Sequence, residues 1–264
     1  PMKPFYKTIN DKIISDHHEI PVRIYFPEDE MIIRHGQYGG TCPVILFIHG
    51  GGWTTESVET YNRVCHYMAK NTGYAVTSID YRLAPENRFP IPLNDCYAVA
   101  KTIFSNQFVL NIDPNQVVLV GDSAGGNLVA ALSMMARDRG DFMPKKQILI
   151  YPCVYNEYAP GNHPTVSMIE NGSDYILTRK DVQEYLKMYK ETEEDYKNPY
   201  FSPLLANDFS NLPDTLIITA EYDPLRDEGE KYARCLKKAG NRVEAYRMKD
   251  ALHGYFALST KYVL

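Results

Sequence analysis

Short apolar runs alternate along the chain with segments of helical periodicity. Val44–Ile48 is apolar throughout and lies between Pro43 and a glycine cluster, so it is predicted as a strand buried on both faces. Further strands are predicted at Val22–Phe26, Tyr74–Ile79, Val117–Val120, Ile148–Tyr151, Thr215–Thr219 and Val243–Met248. Helices are predicted at Tyr61–Ala69, Leu93–Phe104, Asn127–Arg137, Arg179–Tyr189 and Glu228–Lys238. This alternation favours an α/β fold with a mostly parallel sheet and helices on both faces.

One segment breaks this alternation. Residues 155–211 lie between two predicted strands, are rich in tyrosine and polar residues, and are too long for a simple crossover. We interpret them as a cap insertion that folds over one end of the sheet. No repeat or linker divides the remaining chain, so residues 1–264 are predicted to form a single domain. Ligands bind beyond the carboxyl ends of parallel strands, which is where the motifs described next fall.

The composition limits the partners, the cellular compartment and the cofactors that we expect for this protein. Hydrophobic residues make up 44% of the chain and the formal net charge is -5, so neither nucleic acid nor an anionic membrane is an expected partner. The five cysteines are scattered without a C-x-x-C pair, which indicates reduced thiols in a cytoplasmic protein. Residues 1–5 do not resemble a signal peptide, and no apolar run is long enough to span a bilayer. Because no phosphate loop and no metal-ligand spacing occurs, we expect neither a cofactor nor a metal.

The strongest chemical signal is Gly121–Gly126, with the sequence G-D-S-A-G-G between a predicted strand and a predicted helix. This is the G-x-S-x-G context of a nucleophilic serine, Ser123, on a tight turn where bulk at Gly121 or Gly125 would collide. The turn also places N–H groups at a helix N-terminus, which favours an oxyanion. The alternative is a glycine-rich turn that contains serine by chance.

A second signal, H-G-G-G-W at His49–Trp53, directly follows Val44–Ile48. Adjacent glycines allow backbone N–H groups to approach a substrate oxygen, so Gly51, Gly52 and Ala124 are the expected oxyanion-hole donors. His49 is expected to stabilise the loop by hydrogen bonding. Trp53 is a candidate for lining a substrate pocket, although aromatic side chains more often serve packing.

The serine requires a base and an orienting acid, which follow it in the order acid, then histidine on this fold. His253 lies after the last predicted strand and is the candidate base, whereas His163 is expected on the surface of the insertion. Asp223 ends the preceding strand region and is the candidate acid. Of its competitors, Asp227 is expected to open the next helix and Glu221 to lie too close to the strand.

For two further residues we predict a structural role, on weaker sequence evidence. Asp80 and Arg82 follow the predicted strand Tyr74–Ile79. They are expected to be structural partners that brace the loop carrying the glycines.

Together these motifs resemble the hormone-sensitive-lipase-like esterases (bacterial family IV) of the α/β-hydrolase superfamily. The matching segments are His49–Gly52, Tyr81–Glu86, Gly121–Gly126, Asp223–Glu228 and His253–Tyr255. The resemblance implies cofactor-free hydrolysis of carboxylic esters with short to medium acyl chains, and it also selects Asp223 as the acid. It further implies a homodimer and an N-terminal part of the cap that is reduced here.

The sequence therefore predicts a serine carboxylesterase that hydrolyses small, short-acyl esters through Ser123, His253 and Asp223. A deacetylase, amidase or peptidase would use the same triad, because the pocket selects the scissile bond. A non-catalytic binding protein on a hydrolase scaffold is the alternative from another class. A lipase acting at oil–water interfaces lacks support, since no strongly amphipathic lid is evident.

Overall fold

A computed structural model describes residues 8–15, 18–27, 41–105 and 107–257. Within these residues eight strands form one sheet: β1 (Thr8–Ser15), β2 (His18–Tyr25), β3 (Cys42–Ile48), β4 (Ala75–Ile79), β5 (Ile112–Asp122), β6 (Lys146–Ile150), β7 (Asp214–Tyr222) and β8 (Val243–Leu252). The α-helices are α1 (Asn62–Thr72), α2 (Ile91–Phe104), α3 (Ala124–Arg139), α4 (Val166–Glu170), α5 (Arg179–Tyr189) and α6 (Arg226–Lys238).

The strand order is β1-β2-β4-β3-β5-β6-β7-β8. The β1–β2 and β2–β4 pairs are antiparallel, and every later neighbouring pair is parallel. The prediction of a mostly parallel α/β sheet is therefore confirmed. The parallel strands all point their carboxyl ends to the same edge, which brings the loops after β3, β5, β7 and β8 together.

The apolar pattern explains which elements lie deepest. Five successive residues of β3, Val44–Ile48, are at most 5% exposed, as expected for a strand covered on both faces. Helix α3 is buried over Ala124–Ala136 and packs with α2 and α6 in the larger core cluster. Helix α1 packs on the other face through Tyr61, Cys65 and Ala69 in a smaller cluster. Both faces of the central strands are thus covered, and the site lies at their carboxyl ends.

The segment between β6 and β7 contains more structure than the sequence indicated. Helix α5 has the predicted bounds, but α4 and two 3-10 turns, Glu193–Lys197 and Pro203–Leu205, were not predicted. Helix α4 spans a single turn and two of its five residues are buried, so no amphipathic period could show it. The assignment of the whole segment, approximately residues 155–211, as a cap insertion stays an interpretation.

Other differences concern strand ends. Strand β1 was missed because, of its eight residues, only Ile13 is buried, so apolar alternation is weak. Strand β5 begins at Ile112 rather than Val117, since the intervening Asp113-Pro114-Asn115 reads as a turn. Helix α3 begins at Ala124, directly after the candidate serine, three residues earlier than predicted.

No helix among the described residues is long and apolar enough to cross a membrane. Residues 1–5, for which no signal peptide is expected, lie outside the described residues.

Candidate active site

Ser123 lies at the junction of β5 and α3 with φ 54° and ψ -118°. Positive φ is uncommon for a residue with a side chain, and here the surrounding turn imposes it. A Cβ on Gly121 would lie 2.4 Å from the Gly125 carbonyl oxygen, and one on Gly125 would lie 2.0 Å from the Ile48 oxygen. Only glycine fits these two positions, which explains the G-x-S-x-G spacing physically.

The structure brings the three predicted triad residues into one hydrogen-bonded chain. The Nε2 atom of His253 lies 2.9 Å from Ser123 Oγ, and its Nδ1 lies 2.8 Å from Asp223 Oδ2. A carboxylate only accepts hydrogen bonds, so Nδ1–H donates to Asp223 and Nε2 is left to accept the serine proton. This is the arrangement required of a base that removes the proton from Ser123.

Asp223 and its competitors have different partners. Asp223 is fully buried, and its second oxygen, Oδ1, accepts a hydrogen bond from Leu225 N at 2.8 Å. Asp227 lies in the first turn of α6 and accepts from the Ser167 N–H of α4 at 2.8 Å. Glu221 lies in β7 and accepts from Asp250 N. Only Asp223 therefore reaches the histidine, whereas Asp227 and Glu221 hold other segments.

Asp122, the residue before the serine, links the two glycine motifs. Its Oδ1 accepts from Gly50 N at 3.0 Å, and its Oδ2 accepts from the Tyr61 hydroxyl at 2.8 Å. Burial raises the pKa of Asp122 to about 6, although these hydrogen bonds oppose the shift. Sequence reasoning missed this role, since the variable position of a G-x-S-x-G motif gives no signal of a contact with a loop 72 residues earlier.

The His49 side chain makes a hydrogen bond within the glycine loop, as predicted. It is fully buried, its Nδ1 lies 2.8 Å from the Gly50 oxygen, and its ring stacks on Tyr81 at a centroid distance of 4.4 Å. The Tyr81 hydroxyl in turn donates to the His49 carbonyl oxygen at 2.8 Å. Burial lowers the pKa of His49, so the neutral ring is favoured.

The prediction for Asp80 and Arg82 is only half right. Asp80 accepts from Val58 N in the loop that follows the glycines. Arg82 instead makes a bidentate pair with buried Asp95 of α2. Tyr81, which lies between them, is the residue that holds the glycine loop.

A cavity of about 330 Å³ opens above Ser123 and His253. The predicted oxyanion residues Gly51, Gly52 and Ala124 line it. Within the part of the chain that the structure describes, no hydrogen bond uses their backbone N–H groups. Their role as oxyanion donors stays a prediction that this placement allows.

The insertion supplies part of the cavity lining through Ile176, Leu177, Val182 and Tyr185. Tyr185 lies on α5, and its ring fills the space beside Gly52. Nothing in the sequence pointed to Tyr185 or to Glu56, another lining residue. Tertiary structure alone brings Tyr185 to the site, whereas Glu56 enters through the conformation of the loop after the glycines, where its φ is 73°.

Trp53 and His163 differ in position. Trp53 lines the cavity but is only 1% exposed, and its indole stacks on Tyr189 at 4.4 Å with an interplanar angle of 2°. Trp53 therefore makes packing contacts, and direct substrate binding by Trp53 stays a prediction.

His163 is an exposed loop residue, as expected. The described residues contain no group of three or more His, Cys, Asp or Glu that could hold a metal ion.

Known proteins share this architecture and much of the sequence. A family model described as alpha/beta hydrolase fold matches residues 45–257. An arylesterase of Saccharolobus solfataricus is 37% identical over 256 residues, which cover 97% of this chain and 79% of that protein. An ethyl acetate hydrolase of Pseudomonas putida is 32% identical over 93% of this chain and 74% of its own length.

The carboxylic ester hydrolase LipN of Mycobacterium tuberculosis is 37% identical over 91% of this chain, which spans 62% of that longer protein. Among solved structures, an esterase of Pyrobaculum calidifontis aligns with a TM-score of 0.85 and 41% identity, covering 96% of this chain and 78% of that one. The chain belongs to the α/β-hydrolase fold family, with the hormone-sensitive-lipase-like esterases, and is a carboxylic ester hydrolase.

Proposed function

We propose that this enzyme hydrolyses small, short-acyl carboxylic esters through a triad of Ser123, His253 and Asp223. The observation that carries the proposal is the continuous hydrogen-bonded chain from Ser123 Oγ through His253 to Asp223, at the base of an open cavity. In acylation, Ser123 Oγ attacks the ester carbonyl carbon while His253 Nε2 takes the hydroxyl proton. Asp223 holds the imidazole tautomer and stabilises the imidazolium that forms.

The carbonyl oxygen becomes an oxyanion when the serine bond forms. The N–H groups of Gly51, Gly52 and Ala124 are our proposed donors, each contributing about 3 kcal/mol to transition-state stabilisation. Ala124 is the first residue of α3, so the positive end of the helix dipole reinforces this site. Support for all three is that they line the same cavity as Ser123 without another hydrogen bond among the described residues.

Collapse of the first tetrahedral intermediate expels the alcohol, which takes the proton from His253. Water then attacks the acyl-enzyme carbonyl, with His253 accepting its proton and returning it to Ser123 as the acid leaves. Asp223 keeps its hydrogen bond to His253 Nδ1–H throughout these steps. No cofactor takes part in the proposed cycle.

The short-acyl preference follows from the cavity's size and walls. A volume of about 330 Å³ is at the small end for ligand pockets. Leu177, Val182 and Leu225 give it an apolar wall, which suits a small alkyl group. The related ethyl acetate hydrolase is named for a substrate of this class. We interpret residues 155–211 as the cap that limits the length of this cavity.

The test compares wild type with Ser123→Ala on p-nitrophenyl esters from acetate to octanoate. We expect wild-type kcat/KM to be highest on the short chains and to fall by about 10⁴-fold or more in the variant. A wild-type rate retained by Ser123→Ala would overturn the proposed nucleophile. Matched p-nitroacetanilide, expected to be a far poorer substrate, separates the esterase from an amidase.

Assembly and location are further proposals. We propose a homodimer that uses the β8 edge, where Tyr246 is 57% exposed and Met248 44% exposed. Light scattering of wild type and Tyr246→Lys tests it, with a shift from dimer to monomer expected. The five free cysteines support a reducing, cytoplasmic setting.

A further inference from the structure

The loop after the oxyanion glycines contains a residue in an unusual conformation. Glu56 has φ 73°, in the left-handed region that residues with a side chain rarely adopt. It lines the same cavity as Ser123 and His253. A backbone held in this region is often associated with a functional constraint, so the position of the Glu56 side chain calls for an explanation.

The Glu56 side chain folds back toward the oxyanion loop. A Cβ at Gly51 would lie 2.7 Å from Glu56 Cγ, so the carboxylate is carried close to a predicted oxyanion donor. Glu56 is exposed, and none of the hydrogen bonds or ion pairs found within the described ranges uses its carboxylate. A free carboxylate at this place is available to a ligand in the cavity.

The other lining groups leave this charge unopposed. No lysine or arginine of the described chain lines the cavity. The second lining carboxyl, Asp122, is buried and engaged by Gly50 and Tyr61, so it offers little to a ligand. Of the lining tyrosines, Tyr61 and Tyr151 are buried, whereas Tyr185 is partly exposed and adds an aromatic ring of the kind that attracts cations. The cavity therefore combines one free negative charge with aromatic surface and has no positive counterpart.

We propose that Glu56 determines charge specificity at this site, so that the enzyme prefers esters bearing an ammonium group over their neutral isosteres and disfavours esters bearing a carboxylate. This inference rests on the proposed esterase function of the same site. A cation bound near Glu56 gains Coulomb attraction, whereas an anionic substrate is repelled. Because the carboxylate is exposed, the effect is modest and is screened by salt.

The test uses two pairs of substrates that differ only by nitrogen for carbon. Choline acetate is compared with 3,3-dimethylbutyl acetate, which varies the alcohol side. Ethyl 4-(trimethylammonio)butanoate is compared with ethyl 5,5-dimethylhexanoate, which varies the acyl side. The measured quantity is the ratio of kcat/KM for the cationic and neutral members of each pair, which is independent of the fraction of active enzyme.

In at least one pair we expect Glu56→Gln to lower this ratio by about threefold relative to wild type. Glu56→Asp, which keeps the charge, should retain most of the ratio. Glu59→Gln removes a nearby exposed carboxylate that lies outside the cavity and pairs with Arg23, so it controls for the loss of negative charge and should leave the ratio unchanged. The wild-type ratio should also fall when NaCl is raised from about 0.05 M to about 0.5 M.

An equal ratio in wild type and Glu56→Gln for both pairs would overturn the inference while leaving the esterase intact. If wild type hydrolysed none of the four esters and no p-nitrophenyl ester, the proposed function itself would fail. The two failures are therefore distinguishable.

Discussion

The ring of Tyr185 occupies the space that a side chain at Gly52 would fill. A Cβ built on Gly52 would lie 2.4 Å from Tyr185 Cδ1 and 2.5 Å from its Cγ. Gly52 is a predicted oxyanion donor, and Tyr185 lies on helix α5 of the insertion. The insertion therefore contacts the glycine loop directly, at a point where only the absence of a side chain permits the approach.

This contact predicts the effect of Gly52→Ala. The added methyl group collides with the Tyr185 ring, and the φ of 58° at this position disfavours any residue with a Cβ. We expect kcat/KM on p-nitrophenyl acetate to fall by about 10²-fold, comparable to loss of one oxyanion donor.

The double variant Gly52→Ala/Tyr185→Ala separates the two causes. Removal of the ring should restore part of the lost activity, while the backbone cost remains. If the double variant were no more active than Gly52→Ala, the collision would not be the cause. Tyr67→Ala, which removes an exposed tyrosine outside the cavity, serves as the control.

The identity of the triad acid is tested by a matched pair of substitutions. Asp223→Asn removes the carboxylate that accepts from His253 Nδ1–H, and kcat should fall by about 10³- to 10⁴-fold. Asp227→Asn lies four residues away and disturbs the contact with α4 and the ion pair with Arg226, neither of which reaches His253, so kcat should change by less than about tenfold. The reverse ranking in steady-state kinetics would reassign the acid to Asp227.

The raised pKa of Asp122 predicts that the stability of the folded protein depends on pH. Its folded-state pKa of about 6 lies above the ordinary value of 3.8 because the carboxyl is buried. Between these values the folded state keeps a proton that the unfolded state has released, so this group's contribution falls as pH rises. The contribution of Asp122 to the free energy of unfolding is fully present below about pH 4. It is lost as the pH rises past about 6, and the free energy of unfolding falls by about 3 kcal/mol over this range.

The measurement is the difference in thermal midpoint between Asp122→Asn and wild type. Asparagine cannot ionise, so this difference should rise by on the order of 5 °C from about pH 4 to about pH 7. The exposed Asp174→Asn should show no such trend. A difference that stays flat across this range would mean that Asp122 does not titrate there.

Apolar periodicity was sufficient to predict the buried interior of the fold. Strands β3 to β7 and helices α2, α3, α5 and α6 follow from it, because each carries a buried face, whereas β8 is exposed from Glu244 to Asp250. Strand β1 and helix α4 could not be predicted in this way, since one is largely exposed and the other is a single turn. The pattern of apolar residues reveals a buried face only where the helix or strand is long enough for that pattern to repeat.

The same limit applies to the site. Ser123, His253 and Asp223 could be selected because strand ends and motif order constrain them, and the structure brings them together. Their catalytic roles stay predictions. Tyr185 and the bracing role of Asp122 depend on contacts between distant segments, and Glu56 depends on a local backbone turn with positive φ that no motif marks. Arg82 could not be assigned to Asp95 from the sequence because many carboxylates lie within similar reach.

Helix α6 begins three residues after Asp223, and its first turn anchors the insertion. Asp227 accepts from the Ser167 N–H, and buried Glu228 accepts from the N–H groups of Val154 and Tyr155. If the segment around Tyr155 moved away from α6, the buried Glu228 carboxyl would lose the two N–H groups that donate to it. The base of the insertion and α4 are thus fastened to the first turn of the helix that directly follows Asp223, so the insertion and the candidate acid share one structural support.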